Sequence, residues 1–210
     1  IMQHPEYGTL ASRLHVAGMH KKTTKHFSKL VKSLYAYVNP TTGKPAPLVC
    51  DKLLTVVCEN ATKLNSAIVH DRDGLVPYMG LLTLERSYLL KMGDVVVERP
   101  QHMYMRVALQ VSRYNVDDAI KTYNVLSKGF YTHASPTMFN SGTNKNYLAS
   151  CYLLTFPDDE DINGDSIKDI YGGVQRAAII SKSAGGIGFH MHNIRASGSY
   201  IEGTNGTVNG

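Results

Sequence analysis

Along residues 7–38 the apolar positions Leu10, Leu14, Phe27, Leu30, Val31, Leu34, Tyr35 and Val38 recur at three- and four-residue steps. That spacing predicts amphipathic helix, with Gly18 as a candidate break. Asn39-Pro40-Thr41-Thr42-Gly43 ends it. A second helix is expected over residues 51–66, with Asp51 as its cap and Leu53, Leu54, Val57 and Leu64 turned inward. Residues 74–80 read as a loop containing Pro77. In residues 83–90, Leu84, Tyr88 and Leu89 do not decide between helix and strand, and Gly93-Asp94 is a turn. Residues 100–111 predict a helix with Pro100 in its first turn, where the missing N–H costs nothing. Residues 116–128 predict another, capped by Asn115.

The pattern then changes. Ser135-Pro136-Thr137 stands at a helix start within a polar, turn-rich stretch, and the apolar run over residues 150–156 predicts a buried strand, so a domain boundary is expected within residues 134–148. Residues 157–165 carry Asp158, Asp159, Glu160, Asp161 and Asp165 without a basic residue; lacking calcium-loop spacing, they read as a solvated surface insertion. Asp165-Ser166 caps a helix expected to run to about residue 183 with Ile167, Ile170, Val174, Ala177, Ala178 and Ile179 inward, and residues 187–192 form the next strand. A strand, a helix and a strand with this crossover length imply a parallel pair. The fold class is therefore α+β: a mostly helical N-terminal domain followed by a strand-helix-strand of an α/β layer or barrel.

Composition narrows the function classes. A hydrophobic content of 43% fits a soluble globular protein, and no apolar run approaches the ~20 residues that span a bilayer. Ile1-Met2-Gln3-His4-Pro5 lacks the basic and apolar regions of a signal peptide, so a cytoplasmic protein with no membrane partner is expected. Residue 1 is not Met and the sequence closes on turn residues, so the chain is expected to be a piece of something larger. Its net charge of +5 is concentrated early, with Arg13, Lys21, Lys22, Lys25, Lys29, Lys32, Lys44 and Lys52 facing only Glu6 and Asp51. No aromatic interleaving for base stacking accompanies them, so they read as a solvated helix face and nucleic acid is not an expected partner.

Chemistry-bearing residues gather late in the chain. Lys182-Ser183-Ala184-Gly185-Gly186-Ile187-Gly188 precedes a strand, and Arg195, Gly198, Gly203 and Gly206 follow it. Gly185-Gly186 alone is a helix C-cap, Lys182 complements a helix dipole and Asp165 is a cap. Together with the forked donors of Arg195 they suit a nucleotide, the cations taking phosphates and the carboxylate a sugar or base. Rossmann and P-loop motifs follow a strand and open a helix, so those classes are set aside. Cys151 opens a strand beside Ser150. Cys50 and Cys58 read as packing residues of the other domain, no cysteine has zinc-site spacing, and His190 and His192 read as partly exposed side chains rather than ligands.

Longer segments carry a resemblance. Asp71-Arg72-Asp73, Thr83-Leu84-Glu85-Arg86-Ser87-Tyr88-Leu89-Leu90, Glu98-Arg99-Pro100-Gln101-His102-Met103, Ala134-Ser135-Pro136-Thr137, Phe139-Asn140, Gly142-Thr143-Asn144, Ser150-Cys151 and residues 180–188 occur in this order. From about His4 to Gly210 the chain resembles the large catalytic subunit of class I ribonucleotide reductase in its eukaryotic and viral form. The resemblance implies a remnant of the N-terminal ATP-cone over residues 1–25, with Lys21 similar to a position that contacts the activity effector. It implies a helical domain over residues 26–145 and the start of a ten-stranded α/β barrel over residues 146–210.

By the same resemblance Ser135 and Ser150 contact the substrate, largely at its diphosphate, with Gly186 approaching it. Cys151 is one of two cysteines that reduce the ribose and become a disulfide. Asp165, Ser166, Ile167, Lys182, Arg195, Glu202 and Gly203 match the specificity-effector pocket, and residues 193–210 the first specificity loop. The connection before Asp165 is longer and more acidic than in the family, which leaves Asp159 as a competitor for that position. Glu202 stands where the family often has a small residue, so its backbone is the expected contact. The implied chemistry is reduction of ribonucleoside diphosphates to deoxyribonucleoside diphosphates. A thiyl radical abstracts the 3′ hydrogen, the 2′ hydroxyl leaves as water and a thiol pair supplies the electrons. No metal is expected in this subunit beyond Mg carried with nucleotide effectors (ATP, dATP, dTTP, dGTP). Implied partners are a small subunit with a di-iron/tyrosyl radical, thioredoxin or glutaredoxin, and further copies of the large subunit in a homodimer or higher oligomer. A fragment lacking the remaining barrel is expected to be inactive. The alternative is a regulatory nucleotide-binding module without catalysis.

Overall fold

A computed structural model describes residues 4–145, 147–156, 165–183, 185–201 and 203–209. Two compact units divide the chain, Ile1–Leu148 and Ala149–Gly210. In the first, α1 (Pro5–Lys22), α2 (Phe27–Tyr35), α3 (Asp51–Glu59) and α4 (Ala61–Ala67) precede a 3-10 turn at His70–Leu75. Then come α5 (Tyr78–Ser87), a hairpin of β1 (Lys91–Met92) and β2 (Val95–Val96), α6 (Pro100–Val111), α7 (Val116–Ser127) and α8 (Ser135–Asn140).

Three expectations for this unit change. The first helix runs through Gly18 and breaks at Thr23, which is extended and returns its hydroxyl to Met19 O at 2.8 Å. Its inward face is Ser12, Val16 and Met19; Leu10 and Leu14, expected to face the core, are 53% and 66% exposed. At 100° per residue both leucines lie across the helix from Ser12, whose hydroxyl donates to Val76 O at 2.7 Å. The second helix is two, because Asn60 leaves helical geometry and folds its amide onto Val56 O, and its N-cap is Cys50 rather than Asp51. Residues 78–87 are helix, so Gly80 and Thr83 share one element and the ambiguity over residues 83–90 resolves mostly to helix.

The middle of the unit is α6, nine of whose 12 residues are buried. Met105, Ala108 and Leu109 join Phe27, Leu30, Leu34, Leu53 and Leu64 in one apolar cluster, while Met103 and Val107 join Val16, Met19, Leu81 and Leu89 in another. Its partner α7 is capped as expected, Asn115 Oδ1 accepting from the backbone N–H groups of Asp117 and Asp118. A third set of α6 side chains is polar and buried. Arg106 donates from Nε to Glu98 Oε1 at 2.8 Å and from Nη2 to Glu98 Oε2 at 3.0 Å, with both side chains 1% exposed. The guanidinium also reaches the carbonyls of Met138, Phe139 and Ser141, and Glu98 Oε2 accepts from Leu90 N–H. One ion pair thereby ties α6 to the hairpin and to α8. His102 is also buried, and desolvation pushes its imidazole down to about 3.

The second unit pairs β3 (Cys151–Thr155) with β4 (Gly186–His190) in parallel, Cys151 opposite Gly186 and Thr155 opposite His190. The crossover helix is α9 (Ile167–Lys182), and a hairpin of β5 (Tyr200–Ile201) and β6 (Gly206–Thr207) follows. The parallel pair is as expected, but the burial is not. β3 alternates exposed and half-buried residues, and Leu153 is 90% exposed. On α9 the inward residues are Asp169, Gly173 and Ile180, whereas Ile167, Val174 and Ile179 are exposed. Glycine explains the choice of face: a Cβ on Gly173 would fall 2.0 Å from the Phe156 ring, so the helix closes on the strand end through its bare backbone. The second strand ends at His190, before the expected His192, and the two imidazoles stack at 4.0 Å, both exposed. No helix among the described residues is long and apolar enough to cross a membrane.

Replacing Arg106 by Met strands a buried carboxylate. It is expected to cost the helical unit about 3–5 kcal/mol in chemical denaturation followed by circular dichroism, with part recovered in the Glu98→Gln/Arg106→Met double variant.

Candidate functional site

Ser135 opens α8, with Ala134 as N-cap and Pro136 in the first turn. Its hydroxyl is exposed and lies 2.7 Å from the Tyr88 hydroxyl, whose ring also packs against Phe139. The rest of α8 is pinned: Thr137 Oγ1 donates to Leu148 O and Asn140 Nδ2 to Tyr147 O, each at 2.7 Å, while Arg106 holds the carbonyls at its far end. Beside it a cleft of about 420 Å³ is lined by Tyr88 and Asn140, with Arg86, Lys91 and Lys145 supplying positive charge. Tyr88 escapes sequence reasoning as a partner of Ser135, because its place in an apolar run gives no sign of what its hydroxyl meets.

In the second unit Ser150 and Cys151 stand at the leading end of β3. The Ser150 hydroxyl lies 3.7 Å from Cys151 Sγ, and both residues are exposed. Gly186 N–H donates to Ser150 O at 2.7 Å, and a Cβ on Gly186 would come within 3.3 Å of that oxygen. The backbone under the thiol is thus fixed by the parallel ladder while its sulfur faces solvent, an accessible geometry unlike that of an inert core cysteine. All three cysteines are free. Cys50 packs against the helical core and its sulfur lies 3.4 Å from the Tyr114 hydroxyl. Cys58, expected as packing, is exposed, since on α3 it follows Val57, which takes the inward position.

The residues compared with an effector pocket divide along α9. Ser166 caps that helix, accepting from Asp169 N–H at 3.1 Å and donating to Asp169 Oδ2 at 2.6 Å, and Ile167 projects outward, 77% exposed. Just before them, Asp165 accepts from Arg195 twice, at Oδ1 from the backbone N–H at 3.1 Å and at Oδ2 from Nε. That bond holds the Asp165 carboxyl below the usual carboxylate range. Arg195 Nη1 also reaches Tyr200 O at 3.2 Å, and Gly203 adopts φ +83° beyond β5. Asp165, Ser166, Ile167 and Arg195 therefore cluster at one end of α9. Lys182 is exposed at the other end, roughly 22 Å away along the helix axis at 1.5 Å per residue. Glu202 and Asp159 lie outside the described residues. Lys21 is exposed in the last turn of α1.

Comparison with known proteins gives the class. Residues 75–146 match the family described as ribonucleotide reductase, all-alpha domain, and residues 149–210 match ribonucleotide reductase, barrel domain. The two matches meet within a residue or two of the boundary between the compact units. The chain is 50% identical over 207 residues to the ribonucleoside-diphosphate reductase large chain 2 of Saccharomyces cerevisiae, covering 99% of this chain and 23% of that protein. It is 51% identical over 208 residues to the large subunit of Variola virus and 52% identical over 208 residues to that of Caenorhabditis elegans. Each of these matches covers 99% of this chain and 26% of the relative. The chain belongs to the ribonucleotide reductase large-subunit family, and it spans about a quarter of the length of these curated relatives.

Two outcomes follow. Under native conditions iodoacetamide is expected to label Cys151 and Cys58 before Cys50, read by peptide mass spectrometry. A carboxyl-detected NMR titration is expected to show the Asp165 pKa rising towards about 3.9 in Arg195→Gln. Because the folded value is the depressed one, the stability this pair adds is present above the unfolded pKa. It disappears as pH falls through the folded value.

Proposed function

We propose that the chain contributes to a ribonucleoside-diphosphate reductase in which Cys151 is one of the two thiols that reduce the ribose. The observation that carries this reading is its half-identity to large subunits along 99% of its length. An exposed thiol beside the Ser150 hydroxyl on a ladder-fixed backbone supports it. A thiyl radical elsewhere in the enzyme removes the 3′ hydrogen and later returns it. The 2′ hydroxyl leaves as water, and the two electrons come from Cys151 and a second thiol, which end as a disulfide. Ser135 and Ser150 hold the diphosphate, with Gly186 close to it. Positioning carries much of the rate, since a displacement of about 1 Å can cost ~100-fold.

Asp165, Ser166, Ile167, Lys182, Arg195, Glu202 and Gly203 are assigned to binding the specificity effector, a deoxynucleotide or ATP with Mg. Cap, guanidinium and hairpin converge at one end of α9, which supports that role for Asp165, Ser166 and Arg195. Lys21 is assigned to the activity effector and residues 1–25 to an ATP-cone remnant, although α1 packs within the helical unit. The whole enzyme works in the cytoplasm with a radical-generating small subunit, thioredoxin or glutaredoxin, and a second large subunit. The small subunit's di-iron/tyrosyl cofactor supplies the radical.

In the full-length enzyme, Cys151→Ser is expected to abolish multiple-turnover diphosphate reduction with thioredoxin while nucleotide binding, read by equilibrium dialysis, persists. Unchanged turnover removes Cys151 from the chemistry.

A further inference from the structure

The helical unit contains a cluster of imidazoles and one carboxylate that the reduction does not use. Asp73, in the 3-10 turn, is fully buried. It accepts from Gln101 N–H at Oδ1 (3.1 Å) and from His20 Nε2, in the last turn of α1, at Oδ2 (2.7 Å). One donor atom each from His20, His70 and Asp73 lie within 4.8 Å of one another. Arg99, close by, spends its guanidinium on His20 O, Thr23 O and Thr23 Oγ1, and among the described residues no arginine bonds the Asp73 carboxylate.

The tautomers follow from the partners. A carbonyl oxygen only accepts, and Lys25 O lies 2.9 Å from His70 Nε2 and 3.4 Å from His102 Nε2. Each neutral ring therefore carries its proton on Nε2 and leaves Nδ1 as a bare lone pair. Both Nδ1 atoms are buried, and neither has a hydrogen-bond partner among the described residues. Such orphaned acceptors are uncommon and call for an explanation. An imidazole that donates one N–H to a backbone carbonyl while baring its other nitrogen is also the arrangement found around metal-ligating histidines.

We propose that His20, His70 and Asp73 form a binding site for a zinc-class divalent cation. His20 binds through Nε2, Asp73 through Oδ2 and His70 through the nitrogen that its bond to Lys25 leaves free, with solvent as the fourth ligand. Two imidazoles and a carboxylate suit zinc, whose bonds of about 2.0–2.2 Å set ligand atoms about 3.3 Å apart in a tetrahedron. The ion takes the place of the proton between His20 and Asp73, opening their contact by about 0.6 Å. The ring proton moves to Nδ1 or, from a charged ring, to water. His20 is 26% exposed, which provides a path in, and Arg99 is the opposing positive charge. A bound ion joins the end of α1 to the 3-10 turn and stiffens the segment around Lys25.

The test loads the whole chain with zinc alone, removes excess by dialysis and measures metal content and melting temperature. Cobalt serves as a spectroscopic substitute. About one equivalent of zinc, a higher melting temperature and tetrahedral cobalt absorption are expected. His20→Gln and His70→Gln should each weaken binding at least about tenfold, with circular dichroism confirming their fold. The exposed His190–His192 pair is the obvious adventitious binder, and His190→Gln/His192→Gln should leave the equivalent in place. If His70→Gln does not fold, His20→Gln decides, because its ring is only half-buried. Zinc retention that survives His20→Gln, or that vanishes with the surface pair, overturns the site.

Discussion

The Glu98–Arg106 pair is the constraint on which the helical unit depends. Two charges with 1% exposure persist only because every donor finds an oxygen: two on Glu98 and three on the carbonyls around the end of α8. Those carbonyls would otherwise be the unsatisfied end of a short helix that cannot hold its own geometry. The pair therefore sets where α8 sits, and α8 carries Ser135 at its other end. Gly142 answers to the same pair. It adopts φ +69°, and a Cβ there would come within 2.9 Å of Arg106 Cγ.

The second unit works on a different principle. A parallel pair of strands ordinarily has both faces covered. In this chain, which spans about a quarter of its relatives' length, α9 approaches through Gly173, and the alternate side chains of β3, Cys151, Leu153 and Thr155, are exposed. Rigidity at Cys151 comes from the backbone ladder to β4 rather than from burial of its side chain. The Asp165–Arg195 contact plays a comparable part for the following loop, tying the start of α9 to the segment that leads into β5.

Elements with local chemical signals were legible in the sequence. Pro100 and Asn115 mark the starts of α6 and α7 because their effects are confined to one turn, and the parallel pairing of β3 with β4 follows from the crossover length. What was not legible depends on partners far away in sequence. Leu10, Leu14, Ile167 and Val174 have the apolar character of core positions, yet the helices turn Ser12 and Gly173 inward, where a hydroxyl finds Val76 O and a bare Cα admits Phe156. The segment Glu98-Arg99-Pro100-Gln101-His102 is polar by composition and is buried throughout, because most of its polar groups meet partners 8–79 positions away in sequence. For the candidate sites, Ser150, Cys151, Asp165 and Arg195 could be singled out from type and spacing. Tyr88 could not, nor could the association of His20, His70 and Asp73.

The most direct measurement follows the oxidation state of Cys151 through a single reduction event. Full-length reduced enzyme, with its small subunit and effector but no external reductant, is given stoichiometric ribonucleoside diphosphate, quenched with an alkylating agent and mapped by mass spectrometry. Cys151 is expected to become disulfide-linked in proportion to deoxynucleotide formed. Cys151 recovered as the alkylated thiol after a full equivalent of product would contradict it.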